Sequence, residues 1–103
     1  MVPIMTPISP GEVLQDEFII PLGLSQNRVA MAAGVSPRRI NEIVHGARRI
    51  SADTALRLGR LFGTTPMFWM NLQTCYDLTT QADAMAVELD GIVPLAVPTS
   101  YPA

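Results

Sequence analysis

What most restricts the fold of this chain is its punctuation. Five times a hydroxyl residue stands where a helix would begin, at Ser9, Ser25, Ser36, Ser51 and Thr65, and proline follows three of them at Pro10, Pro37 and Pro66. A serine or threonine in extended backbone accepts a hydrogen bond from a free N–H group in the first helical turn. Proline at the next position loses nothing, because its N–H would be unpaired there anyway. Glu12 stands three residues after Ser9, as a capping box requires. Gly23, Gly34, Gly46 and Gly63 each follow a periodic stretch, as left-handed C-terminal caps do. No alternating strand of useful length lies between residues 9 and 85. The expected fold is all-α, five helices in one domain spanning residues 9–90.

The second and third segments, from Ser25 to Gly46, have the form of a helix-turn-helix, whose second helix lies in the major groove of DNA. Val29 and Ala33 supply the inner face of the first helix, and Ala30 is small where the two helices cross. Gly34 occupies the turn, where a positive φ would cost a residue with a side chain roughly 1–2 kcal/mol. Val35 fills the corner, and Ile40 and Ile43 anchor the second helix at i, i+3 spacing. One apolar pair would fit any helical hairpin; the whole set in register is more specific.

Charge singles out the same region. The net charge of −2 is unevenly spread. All seven arginines lie between residues 28 and 60, opposed there only by Glu42 and Asp53, and the other seven acids lie outside that window with no base among them. A local basic face suffices for phosphate binding, because the field decays within about 10 Å at ordinary salt. Lysine is absent, and arginine's planar fork suits bidentate contact with phosphate or guanine.

Other function classes have little to work with. The single histidine, the absence of lysine and the lack of a phosphate-binding glycine loop leave no catalytic constellation, no metal site and no cofactor site. The acids Asp77, Asp83, Glu88 and Asp90 read as a solvated face rather than a metal site. One cysteine, Cys75, excludes an internal disulfide and a cysteine-based zinc site, and its apolar surroundings suggest a buried thiol. No apolar run is long enough to span a membrane, and the start MVPIMTPIS lacks the basic residues of a signal peptide. A cytoplasmic protein is expected.

In the remaining helices, Val13, Leu14 and Phe18 face inward from the first, with Ile19 beside them, until Pro21 ends it. Ala55, Leu58, Leu61 and Phe62 do so from the fourth. The fifth carries one stripe of Phe68, Leu72 and Cys75 and a second of Trp69 and Tyr76. That is more apolar surface than one small core covers, so Trp69, Leu72 and Tyr76 are expected at a dimer interface. Residues 1–8, with Pro3 and Pro7, read as an extended arm. Residues 91–103, with prolines at 94, 98 and 102, read as an extended tail lying across the body or a partner.

The recognition helix is expected over Pro37–His45. Residues off its Ile40 and Ile43 face reach base edges: Ser36, Arg38, Arg39, Asn41 and His45. Arg38 suits guanine and Asn41 suits adenine, each worth about 1–3 kcal/mol of discrimination. Arg39, on the shoulder, reads a base or holds a phosphate. A structural hydrogen bond is the alternative for Asn41, and a helix-capping role for His45. Gln26, Arg28, Arg48 and Arg49 are placed to hold phosphates.

From Ile8 to about Leu78 the chain resembles the HigA-type antitoxins, also called VapI or plasmid-maintenance antidote proteins, of the Cro/λ-repressor-like (XRE) class. The matching stretches are ISPGEVLQDEF, LSQNRVAMAAGVSPRRINEIVHGARRIS and SADTALRLGRLFGTTPMFWMNLQTCYDL. The middle one is common to many regulators; PGEVL, SADTALRL and the F-W-x-N-L-Q run are more specific. The resemblance implies a λ-repressor-like domain, a homodimer on a palindromic operator in its own promoter, and neutralisation of a HigB-like toxin, a small ribonuclease. A free-standing repressor without a toxin is the alternative.

Overall fold

The computed structural model describes residues 7–96. Every expected N-cap forms. The hydroxyls of Ser9, Ser25, Ser36, Ser51 and Thr65 accept from the backbone N–H three residues on, at 3.0–3.2 Å. They open α1 (Pro10–Val13), α2 (Gln26–Ala33), α3 (Pro37–Val44), α4 (Ala52–Phe62) and α5 (Pro66–Ala84). A short uncapped α6 (Ala86–Asp90) follows after a break at Met85. The domain is all-helical, with no strand among the described residues.

The first helix departs from a simple α-helix. After Val13 it continues as a π-helical segment, Leu14–Ile19, and Ile20 N–H reaches back five residues to Gln15 at 2.9 Å. The wider turn brings residues five apart towards one face. Leu14 and Ile19 are therefore both buried, while Phe18 joins an aromatic group with Phe62 and Trp69 at ring separations of 4.9 and 5.1 Å.

The core gathers one or two residues from each of the first five helices: Leu14, Val29, Ile40, Ile43, Leu58 and Trp69 are at most 1% exposed. Full burial of such side chains is worth about 1.5–3 kcal/mol each. α2 and α3 pack as the expected hairpin around Gly34, which has φ 74° and ψ 33°. α4 packs along α5, and α1 bridges α3 and α5.

Two expectations for α5 are corrected. Its buried positions are Trp69 and Gln73, at i, i+4 spacing, with Met70 and Leu72 partly buried against the core. Trp69 is fully buried, with its Nε1 donating to Thr64 Oγ1 at 2.8 Å, so it presents no surface to a second subunit. Cys75 is exposed rather than buried. It lies two residues beyond Gln73, about 200° around the helix from that inward position. Residues 91–96 continue past α6 without helix, while the rest of the proposed tail and residues 1–6 of the proposed arm lie outside the described residues.

Pro10 and Gly11 are buried against the C-terminal end of α3. A Cβ at Gly11 would stand 1.9 Å from the Ile43 carbonyl oxygen and 2.8 Å from its carbon, so α1 can approach α3 this closely only with glycine there. Gly11→Ala must push the two helices apart. It is expected to lower stability by about 1–3 kcal/mol, read from urea or thermal melts. Full wild-type stability would show that this approach is not a constraint.

Candidate nucleic-acid interface

Ile40 and Ile43 turn one side of α3 into the core. This leaves positions 38, 41, 42 and 45, at i, i+3, i+4 and i+7, as its outer stripe. Two small networks organise that stripe. Asn41 Nδ2 donates to Gln26 Oε1 at 3.1 Å, which joins the first residue of α2 to the middle of α3. His45 Nδ1 lies 2.8 Å from the Asn41 carbonyl oxygen and closes the end of α3. In the other network Glu42 accepts from Arg38 Nε at 3.0 Å and from Arg48 Nε at 2.9 Å, one carboxylate oxygen for each. The side chain of Arg38 is 84% exposed.

The other expected contact residues are distributed around these. Ser36 caps α3 through its hydroxyl, and the same bond holds the N–H of Arg39. Arg39 is drawn off the stripe: its Nη1 donates to Asp53 at 2.8 Å and its side chain is only 29% exposed. In this structure it braces α3 against α4. Arg49 is paired with Asp77 of α5. Arg28 is exposed at the start of α2 and forms no ion pair among the described residues. Leu72 is half-buried against the core, and Tyr76 is half-buried in a crevice with Ser9, Gly46, Arg48 and Asp77.

Arg57 is a residue whose role the sequence reading did not isolate. It donates from Nε to Asp53 at 2.8 Å and from Nη1 to the carbonyls of Ala33 and Gly34 at 2.9 and 3.2 Å. Those carbonyls end α2, where a cation complements the helix dipole. Asp53 thus holds Arg39 and Arg57 together, locking both sides of the helix-turn-helix to α4. The visible signal was the Asp53–Arg57 spacing at i, i+4. Gln73 was missed as well. Its Oε1 accepts from Ile50 N–H at 2.7 Å and its Nε2 donates to Asp77 Oδ1 at 3.0 Å.

The geometry is that of a helix-turn-helix with an arginine- and amide-bearing recognition helix. The model of the helix-turn-helix family matches residues 17–69. Virulence-associated protein I of Dichelobacter nodosus is 48% identical over 93 residues, covering 89% of this chain and 84% of that protein. Antitoxin HigA-1 of Vibrio cholerae is 33% identical over 91 residues, covering 88% and 86% respectively. The solved structure of Pseudomonas aeruginosa antitoxin HigA with the higBA promoter aligns at a TM-score of 0.84 and 46% identity, over 88% of this chain and 100% of that one. The chain belongs to the HigA-type antitoxin family.

In this HigA-type chain the three paired carboxyls lie below their ordinary values. Hydrogen bonds from Arg48 and then Arg38 lower Glu42, and those from Arg57 and then Arg39 lower Asp53. For Asp77, burial pulls upward, and the bonds from Arg49 and Gln73 outweigh it. A carboxyl depressed in the folded state adds stability above its unfolded pKa and loses that contribution as pH falls through the folded value. The melting temperature is therefore expected to fall as pH drops below about 4, the ordinary carboxylate range. Asp77→Asn should lower stability at neutral pH and flatten that acid limb. An identical acid profile in wild type and variant would remove Asp77 from this account.

Among the described residues no helix is long and apolar enough to cross a membrane, and no group of three or more His, Cys, Asp or Glu could hold a metal ion.

Proposed function

We propose that this chain is a DNA-binding antitoxin that binds a palindromic operator in its own promoter as a homodimer, represses its operon, and neutralises a HigB-like ribonuclease. The observation that carries the DNA-binding part is the outer stripe of α3, where Arg38 and Asn41 stand one turn apart and the Asn41–Gln26 bond links the stripe to the start of α2. The likeness to an antitoxin solved with promoter DNA supports the same reading. One domain offers few contacts. Two copies on a two-fold axis set their recognition helices about 34–36 Å apart, one turn of B-DNA. The outer part of α5 is the proposed contact between copies, centred on Tyr76 and on Leu78, which is 66% exposed. Base contacts are assigned to Arg38, Asn41 and His45, and phosphate contacts to Gln26, Arg28, Arg48 and Arg49. The toxin-neutralising part rests on family membership. It is tested by whether co-expression with a neighbouring ribonuclease-like gene product restores growth.

Binding to the promoter fragment should weaken steeply with salt. With about 6–8 phosphate contacts per dimer, the log–log slope is expected near −5 to −7. Arg38→Ala and Asn41→Ala should weaken operator binding while leaving non-specific binding nearly unchanged, and Arg28→Ala should weaken both alike. Equal behaviour of all three in anisotropy titrations would reject the assignment of base-contacting residues.

Tyr76→Asp and Leu78→Asp are expected to yield folded monomers that hold the operator only weakly, because the second recognition helix is no longer tethered. Sedimentation reads this directly. A wild type that is monomeric at tens of micromolar, or variants that remain dimeric, would move the interface off this face of α5.

A further inference from the structure

Five of the seven arginines form ion pairs with just three carboxylates. The pairs serve different ends. Asp53 and Asp77 tie arginines to other helices, whereas Glu42 lies on the outer stripe itself, three-quarters hidden between two arginines of the proposed DNA face. Both guanidiniums bind it through Nε. Among the described residues neither Arg38 nor Arg48 has a hydrogen bond from its terminal Nη groups. The Nη edge is thus left free on both, and a guanidinium held by one edge has fewer rotamers to lose when the other meets a guanine or a phosphate.

The same carboxylate opposes any DNA that fits poorly. It sits where phosphates and base edges would approach, and its charge already satisfies part of what the two arginines offer. A duplex that makes no base contact meets the charge of that carboxylate and the loss of pairs worth up to about 1 kcal/mol each, with no base contact to offset them. A duplex whose guanine meets the free Nη edge of Arg38 gains a bidentate contact without breaking either Glu42 bond.

The geometry points to Glu42 as a specificity-determining residue for DNA binding: it orients Arg38 and Arg48 by their Nε groups and suppresses association with non-cognate duplex. This inference rests on the proposed DNA-binding function and adds a residue that touches no base in its role. The alternative is that Glu42 only stabilises α3 through its i, i+4 pair with Arg38.

The test measures the full chain on its own promoter fragment and on a random duplex of equal length, by fluorescence anisotropy across a salt series. Glu42→Gln keeps the size and one acceptor of the side chain but removes its charge. It is expected to bind random duplex about 3–30-fold more tightly, the sum of two exposed ion pairs no longer opposed. Its salt slope there should steepen by about one for each copy of the chain on the DNA. Promoter binding should gain less, so the ratio of promoter to random affinity falls. Glu42→Asp keeps the charge but is too short to hold both arginines. It should lose affinity for the promoter while leaving random binding unchanged. Asp16→Asn, which removes an exposed charge from the first helix, controls for net charge and should leave the ratio at the wild-type value. Thermal melts of all variants separate folding from recognition. An unchanged ratio in Glu42→Gln, equal losses on both duplexes, or an Asp16→Asn effect of the same size would each overturn the inference. If the wild-type chain itself fails to distinguish the promoter from random duplex, the underlying DNA-binding reading fails instead.

Discussion

The backbone N–H of Ile50 has no place in a helix, because it lies between Gly46, which ends the stretch after α3, and Ser51, which caps α4. Ile50 is nevertheless 2% exposed. Left unpaired, such a buried donor costs about 1–3 kcal/mol. The side chain of Gln73, itself 5% exposed, supplies the acceptor. Its amide nitrogen then reaches Asp77, which in turn takes Arg49. One buried amide on α5 thereby sets the path of the loop that leaves the recognition helix and the position of the arginines on that loop. Trp69, one turn earlier on the same face, anchors α5 in the core, so the loop is referred to the buried centre of the domain. The burial of Gln73 is tolerable because both of its polar ends are used.

Much of this fold was legible because its signals are local. A capping serine and the N–H groups it serves lie within one turn, and a glycine at positive φ announces itself without knowledge of the rest of the chain. The helix-turn-helix was readable for the same reason: Val29, Ala30, Gly34, Val35, Ile40 and Ile43 are all set within one hairpin. α5 was read less well. Periodicity ranks residues by hydrophobicity, and so it grouped Trp69 with Tyr76 and passed over Gln73 between them on the same face. Only the stranded amide of Ile50, twenty-three positions away, explains why a glutamine belongs inside. The π turn of the first helix was equally hidden, since its pattern of Leu14 and Ile19 matches neither an α-helix nor a strand.

The candidate site was legible as a basic region but not as a wired surface. Counting charges located the arginines. It did not show that Arg39 and Arg57 share Asp53, or that Arg49 is held from α5. Surface ion pairs of this kind add little stability singly. Their effect here is to give five similar side chains different places. Arg57 grips the end of α2, Arg39 fastens α3 to α4, and Arg38 stays on the outer stripe.

The π segment of the first helix also bears on how the chain tolerates changes in length. A π turn is what an α-helix becomes when it accommodates one additional residue, and here that residue falls between Pro10-Gly11, pressed against α3, and Phe18, pressed against Trp69. Deleting one position from 14 to 17 would let the segment revert to regular α-helix with both docking points still in phase, because the additional residue is what the wider turn absorbs. Winding the present length as regular α-helix would instead rotate Phe18 by about 100° relative to Gly11 and swing an exposed acid, Asp16 or Glu17, towards the core. The bulge therefore acts as a phase shifter, reconciling two docking points that stand one residue too far apart in this sequence for a straight α-helix.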